Sequence, residues 1–317
     1  MRCLICQSKK YKILKEELRY KVKRGVLKCA GCGFIFLAPS NKKIDYSGKG
    51  YRKKFGPSLK RTASSREIFN LYSKFQEPIL NNLRPLLNKK MKVLDIGCST
   101  GHFLHSLKGR VAQRVGLELS EDAVKFIRKN LGIKVYSKLL GSEPIKEGPF
   151  DLITCLQALE HMEDPLKFLK EAGKILKPGG ILYIEVPNAE DALLKIYENK
   201  GYGDFYFREA HVSYFAPKTL KKLLGRAGFK GRVFTAQCYN LINHINWILT
   251  GQPQENFEIG NNKPYLAAET GKEIKVKKEL NNLIKKADME YKKILEKNGL
   301  GENIVFIGRK AVKINRK

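Results

Sequence analysis

No run of apolar residues in this chain approaches the roughly 18–20 needed to cross a bilayer as a helix. Its N-terminus, Met1-Arg2-Cys3 leading into a polar stretch, lacks the apolar core of a secretory signal. A soluble, cytoplasmic protein is therefore expected. Acidic residues are scarce: 31 Asp and Glu stand against 61 Lys and Arg, a formal charge of +30. Cysteine is sparse as well, and four of the seven fall in two CxxC pairs. That pattern excludes a disulfide framework and suits a metal site in a reducing compartment. Disorder is not indicated, because 43% of the residues are apolar. A length of 317 residues accommodates one α/β domain, a small module and an insertion.

The shortage of acids is uneven. Residues 1–62 hold 18 Lys/Arg against 3 Asp/Glu, and residues 263–317 hold 15 against 7. A basic front end implies an anionic partner, such as nucleic acid, a phosphorylated substrate or a membrane surface. It is equally what a lysine-rich surface solvated on every face would look like. Charge alone does not choose.

Cys3-Leu4-Ile5-Cys6 and Cys29-Ala30-Gly31-Cys32-Gly33 are separated by 22 residues. Each pair forms a tight knuckle, and two knuckles supply the four thiolates that structural Zn²⁺ prefers. A redox motif would need only one CxxC at the mouth of a helix. Tyr11–Leu14 and Val26–Lys28 read as short strands, so residues 1–40 are expected to form a four-cysteine zinc ribbon. A closed set of four ligands leaves no open position, which makes the metal structural. Residues 41–63 read as a basic linker with Tyr46, Tyr51 and Phe55 interleaved. A sharper alternative has Tyr46 or Tyr51 folding back over a ligand site.

From Ser64 onward the pattern is that of a doubly wound α/β domain, residues 64–317. Ile68, Leu71, Tyr72, Phe75, Ile79 and Leu83 fall at helix spacing behind the Ser64-Ser65 cap signal. Met91–Phe103 then reads as a strand, a glycine turn and a helix start. Gly97 and Gly101 are needed there for close approach of backbone to a ligand. The next strand, Arg114–Glu118, ends in an acid 23 residues beyond Asp95, placed to accept hydrogen bonds from ribose hydroxyls. The loop is G-x-x-x-G, not the G-x-G-x-x-G that cradles a pyrophosphate. Asp95 in the first strand favours a cationic, amino-acid-bearing adenosine ligand. Pro149–Thr154 is a fourth strand, and Asp164-Pro165 opens the helix after it. Leu176–Gly180 turns into the fifth strand, Ile181–Val186.

The succession VLDIGCSTGHF, GLELSEDAVKFIRK, FDLITCLQALEHMEDP and LKPGGILYIEVPN resembles the class I S-adenosylmethionine-dependent methyltransferases. The resemblance runs over roughly residues 64–310, through HVSYFAPKTLKKLLGRAGF to Asn303–Lys310. It implies a seven-stranded, mostly parallel, Rossmann-like sheet whose last strand, Asn303–Arg309, is antiparallel. It also implies that Asp95 and Gly97 hold the methionine moiety and that Gly101 lies under the cofactor. Glu118 would take the ribose, with Leu119 and Leu156 flanking the adenine and the sulfonium. Ser99, also in this loop, stands where the family often has glycine. The segment Lys138–Glu143 lacks the family's usual acid for the adenine amino group. The two CxxC pairs resemble a zinc-ribbon prefix of bacterial and archaeal members, several of which modify sugars or other small molecules.

Two histidines are the catalytic candidates. His211 lies in Tyr202–Phe215, the segment after the fifth strand, where the family places substrate loops. It could act as the base for a hydroxyl acceptor, or merely cap the following helix. His161 follows Glu160 after the fourth strand. Ubiquinone-pathway O-methyltransferases, which the chain also resembles, in some cases place a divalent metal near such a Glu-His pair. They carry a further glutamate three residues earlier, where this chain has Gln157, so holding the start of the Asp164 helix is the favoured role for His161. Residues 238–301 form an insertion between the sixth and seventh strands. Cys238–Thr250 is apolar and could cap the site, Gly251–Thr270 reads as loop, and Glu273–Leu295 as a Lys-rich amphipathic helix. The expected function is methylation, probable at oxygen by resemblance, of a small-molecule or sugar-precursor acceptor. An RNA methyltransferase using the basic module to hold phosphates is the alternative, and a non-catalytic scaffold is disfavoured by the intact glycine loop and Glu118. The oligomeric state is not legible.

Overall fold

A computed structural model of the chain describes residues 2–42, 44–48 and 63–311; Tyr51, Phe55 and most of the Lys/Tyr-rich stretch lie outside the described residues. Strands β1 (Tyr11–Leu18), β2 (Val22–Cys29) and β3 (Ile35–Leu37) come first. β4 (Lys92–Ile96), β5 (Gln113–Leu117), β6 (Lys134–Tyr136), β7 (Phe150–Leu156) and β8 (Leu176–Pro187) alternate with helices. β9 (Ser213–Tyr214), β10 (Phe229–Ala236) and β11 (Asn303–Lys310) complete the set.

The central sheet has the order β10-β11-β8-β7-β4-β5-β6. Its strands are parallel except β11, which runs antiparallel to both β10 and β8. This is the seven-stranded, doubly wound α/β sheet expected from the sequence. The parallel strands are covered on both faces, which is why they read as near-continuous apolar runs. Leu94, Ile96, Ile153 and Leu182 pack on one side, while Val93, Leu152, Ile181 and Tyr183 pack on the other. Among the described residues, no helix is long and apolar enough to cross a membrane.

Local chemistry sets the helix boundaries. Ser64 and Glu67 form a reciprocal capping box at the start of the helix Ser65–Ser73. The single helix expected through Leu83 is in fact two, because the chain restarts at Glu77–Leu83 with Pro78 in its first turn. A proline there cannot donate to the preceding turn. Asp164 accepts from the Lys167 N–H at 2.9 Å and caps Pro165–Ile175. In the insertion, Leu241–Thr250 and Ile274–Lys297 are helical. Most apolar positions of the longer helix face outward, Leu283 at 64% and Met289 at 56% exposed, whereas Asn281, Asp288 and Leu295 are buried. Those polar side chains work as ties. Asn281 accepts from the Leu266 N–H, and Asp288 from the Leu241 N–H, each at 2.7 Å.

The cysteine-bearing segment does not stand apart from the rest. β1, β2 and β3 form a sheet whose fourth strand is β9, supplied by the loop after β8. Ile35 and Phe36 pair antiparallel with Tyr214 and Ser213. Phe34 is fully buried, 5.6 Å from the Phe36 ring and 5.5 Å from that of Phe215. Arg226, at the end of the helix Pro217–Arg226, donates to the carbonyls of Leu4 and Ile5 in the first knuckle. Core residues of the two parts form one continuous cluster, so they should unfold together. Phe34→Ala is expected to cost about 3–5 kcal/mol, seen as one transition by circular dichroism and Trp247 fluorescence alike. A separate early transition that leaves Trp247 untouched would show the N-terminal sheet to be independent.

Candidate active site

Strand order reverses at β4, which has β5 on one side and β7 on the other. Loops leaving the carboxyl ends of strands diverge at such a point and leave a crevice. Asp95 sits there, in register with Gly116 of β5 and Thr154 of β7. It is 2% exposed, and the Thr154 hydroxyl donates to its Oδ1 at 2.7 Å. Burial raises the Asp95 pKa to about 7; the Thr154 bond opposes the rise and the charge of Glu118 adds to it. A cation placed beside Asp95 would restore the full carboxylate.

The turn after β4 is built by its backbone. Gly97 has φ +74°, and a Cβ there would lie 2.8 Å from that of Ala158. Ser99 adopts φ 51° although it is not glycine. Its N–H donates to Glu118 Oε2, and the Ser120 N–H donates to Oε1, both at 2.8 Å. Two main-chain donors thus fix the carboxylate at the tip of β5. Leu119 and Leu156 line the same cavity, together with Asp95, Gly97, Ser99 and Glu118. Gly101 is not among the lining residues. Its φ of +76° opens the helix His102–Ser106, and a Cβ there would lie 3.0 Å from Leu131 and 3.1 Å from Ile127. In this structure the smallness of Gly101 serves helix packing.

The cavity, of about 1850 Å³, continues past Leu156 to Glu160, His161 and His211. Glu160 follows β7 on a short turn and is held by the Val212 N–H, which donates to its carbonyl at 2.9 Å. Its Oε1 lies 4.0 Å from Nε2 of both His161 and His211. Burial raises Glu160 to about 8, against the pull of the nearby Arg208. Glu160 Oε2 and His211 Nδ1 are buried and have no hydrogen-bond partner among the described residues.

His161 Nδ1 donates to the Ala210 carbonyl at 2.7 Å, and burial lowers the ring's pKa to about 4. His161 therefore fastens the end of β7 to the loop carrying His211; the following helix has its own cap in Asp164. Nor does His211 cap a helix, since Thr219 closes the start of Pro217–Arg226 by accepting from the Ala216 N–H. Burial holds His211 well below the ordinary imidazole range, so it is a neutral base. Tyr46 does fold back: its ring lies 5.6 Å from that of His161, edge to face. Gln157 turns away and donates to Glu185 at 3.3 Å and Asn303 at 3.1 Å.

Two groups of side chains could hold a metal. Ligand atoms of Glu160, His161 and His211 lie within 4.8 Å of one another, as do the sulfurs of Cys3, Cys6, Cys29 and Cys32. The Cys3–Cys32 and Cys6–Cys29 separations are 3.6 and 3.4 Å. A tetrahedral ion with Zn–S bonds near 2.3 Å requires sulfurs about 3.8 Å apart. The donor set and its spacing fit zinc.

Tyr202 and Trp247 line the wall from the two segments expected over the site, whereas the acids beside them were not visible in the sequence. Glu185 and Asp191 are buried, Glu302 is half-buried, and all three line the cavity; desolvation raises the pKa of each. Trp247 and Tyr202 pack edge to face at 5.0 Å beside them. Only the Glu160-His161 pair, directly after a strand, had carried a local signal.

A methyltransferase-domain family matches residues 67–232. The chain belongs to that family, and it is an S-adenosylmethionine-dependent methyltransferase. The ubiquinone biosynthesis O-methyltransferase of Thiobacillus denitrificans is 30% identical over 171 residues, covering 51% of this chain and 73% of that protein. An enzyme of the same name from Aliivibrio fischeri is 29% identical over 179 residues, with the same coverage of 51% and 73%. The crystal structure of a SAM dependent methyltransferase from Archaeoglobus fulgidus matches with a TM-score of 0.46 and 23% identity, covering 76% of this chain and 99% of that one.

Proposed function

We propose that the protein transfers a methyl group from S-adenosylmethionine to a hydroxyl of a small, hydroxyl-rich acceptor such as a sugar or glycan precursor. One observation carries this reading: Asp95 and Glu118 open into the same cavity as Glu160, His161 and His211. On this reading Asp95, Gly97 and Ser99 receive the methionine end of the cofactor, Glu118 binds the ribose, and Leu119 and Leu156 border the adenosine and sulfonium. Gly101 shapes the loop from behind. Buried carboxylates and the side chains of Asn243 and Gln237 beside Trp247 offer the acceptors, donors and aromatic face that a polyol needs. The relatives named as O-methyltransferases support oxygen as the acceptor atom and lend nothing to the RNA alternative.

The reaction is an in-line displacement. The acceptor oxygen bonds to the methyl carbon as the S–CH₃ bond breaks, and the sulfonium becomes a neutral thioether. The hydroxyl proton passes to His211 Nδ1, the ring nitrogen without a partner. The charge of the imidazolium so formed draws Glu160, near Nε2, into its carboxylate form, which then offsets it, and His161 positions the loop. A second reading rests on the convergence of the same three residues: they would hold a divalent cation, which would lower the pKa of the acceptor hydroxyl. The four cysteines are proposed to hold one structural zinc. The domain reading accordingly stays as residues 1–40, 41–63 and 64–317, the first part docked on the last.

Affinity for S-adenosylmethionine should fall as pH drops below about 7, approaching tenfold per unit, because free Asp95 takes up the proton that the bound cation excludes. Calorimetry from pH 8 to 6 should show this slope, and Asp95→Asn should abolish it; a flat wild-type profile would remove Asp95 from the cofactor seat. His211→Asn should lower turnover by about 10²–10⁴-fold with cofactor affinity unchanged. Dialysis against a chelator should leave wild-type turnover intact, whereas loss restored by Mg²⁺ would favour the cation reading. Metal analysis should find about one zinc per chain, and Cys29→Ser with Cys32→Ser should release it.

A further inference from the structure

We propose that Arg19, Arg24 and Arg208 form a seat for a phosphoryl group carried by the acceptor. The inference rests on the reading of the cavity beyond the cofactor as the acceptor site, and it assigns the N-terminal sheet a part in recognition. All three arginines line the cavity. None makes an ion pair of 4.0 Å or less with a described residue, although the chain has other arginines that do. The Arg208 Nε is buried and has no hydrogen-bond partner among the described residues. The carboxylates whose charge reaches these groups, Glu160 at Arg208 and Glu163 and Glu209 at Arg24, all stand farther off than an ion pair.

Arg19 and Arg24 are held through their side chains, and Arg208 through its backbone. Arg19 lies with its guanidinium over the Phe205 ring at 3.8 Å and with the Tyr20 hydroxyl beside it. Its backbone N–H donates to the Phe207 carbonyl at 2.7 Å, which sets it beside Arg208. Among the described residues, Arg24 donates through its Nε alone, to the Ala38 carbonyl at 2.7 Å, and its two terminal nitrogens bond no described residue. The backbone N–H of Arg208 donates to the Tyr214 hydroxyl, and that hydroxyl donates to the Arg208 carbonyl, both at 2.9 Å. Arg19 and Arg208 are near enough for their charges to oppose each other, and a bound dianion removes that cost. Guanidinium forks match phosphoryl oxygens in pairs, and three of them exceed what one carboxylate would need.

The seat is coupled to the proposed chemistry by a single turn. The His211 N–H donates to the Arg208 carbonyl at 3.1 Å. A substrate anchored by its phosphoryl group on Arg208 would therefore present a nearby hydroxyl to His211. Arg24 stands on β2 and Arg19 on the turn between β1 and β2, so the cysteine-bearing sheet delivers part of the acceptor site.

The test is titration of inorganic phosphate into the full chain loaded with S-adenosylhomocysteine, with acetate as the monoanion. Phosphate should bind at least about tenfold more tightly than acetate. Arg208→Gln and Arg19→Gln should each weaken phosphate by about tenfold or more and leave S-adenosylhomocysteine affinity unchanged, which also reports that they are folded. Arg24→Gln is the further variant should either fail that control. Absence of phosphate binding, equal binding of acetate, or full binding in the folded variants would overturn the proposal. His211→Asn should keep phosphate binding whatever its turnover, so failure of the base assignment and failure of the anion seat are separately visible.

Discussion

Val212 is gripped from both sides, and the site depends on it. Its N–H donates to the Glu160 carbonyl at 2.9 Å, and its carbonyl accepts from the Leu37 N–H at 3.1 Å. Through that residue the end of β7, the loop carrying His211 and β3 of the cysteine-bearing sheet become one hydrogen-bonded array. Buried main-chain groups must find partners, and here each finds its partner on a different element. The array leaves Arg208, Glu160 and His211 little freedom to move apart. A loop of this length would otherwise be among the more mobile parts of such a fold. The N-terminal sheet thus takes the place of the packing that an isolated loop lacks.

Electrostatics runs against stability throughout the cavity. Asp95, Glu160, Asp191 and Glu302 all have pKa values raised to about 7 or 8, each chiefly by burial. A carboxylate whose folded pKa exceeds its unfolded value favours the folded state less as pH rises from about 4 through the folded pKa. Such groups persist where function uses them. The two ends of the cavity differ in kind. Around Asp95 and Glu118 the protein offers carboxylates, and around Arg19, Arg24 and Arg208 it offers guanidiniums with no carboxylate of a described residue within ion-pair distance. The polarity of the cavity matches a cationic donor at one end and an anionic acceptor at the other.

What the sequence made legible was local. The run Val93–Gly97, the acid at 118 and the Glu160-His161 pair each lie within one strand and the turn after it, so periodicity and glycine placement expose them. The assembly of Glu160 with His211, 51 residues apart, was not legible, because only the fold brings them together. Gly101 shows how a local signal can be right about shape and silent about purpose, since its left-handed φ is real but its open side faces Leu131. The helix Ile274–Lys297 was legible as a helix and misleading as to its face. Apolar periodicity assumes that the buried side meets a core, whereas this helix turns Asp288 and Asn281 inward to tie the insertion together. The break at Lys74–Gln76 was hidden by a regular apolar spacing that continues across it.

The excess of basic residues separates into two populations once it is placed in space. Lys9, Lys10, Lys12, Lys21, Lys23 and Lys28 are exposed, which is what a solvated surface requires and what weak, screened pairs such as Lys23–Glu17 allow. Arg19 and Arg24 are half-buried at the cavity wall, and burial draws both below the ordinary guanidinium range. Burying a cation costs several kcal/mol unless a partner offsets it, so the position of an arginine says more than the number of lysines. A flexible ammonium keeps its own hydration, whereas a planar guanidinium stacked on an aromatic ring keeps a fixed donor edge. Composition had joined these residues into one basic front end. Among the described residues of this region the fold turns the six lysines named above to solvent and sets Arg19 and Arg24 at the cavity wall.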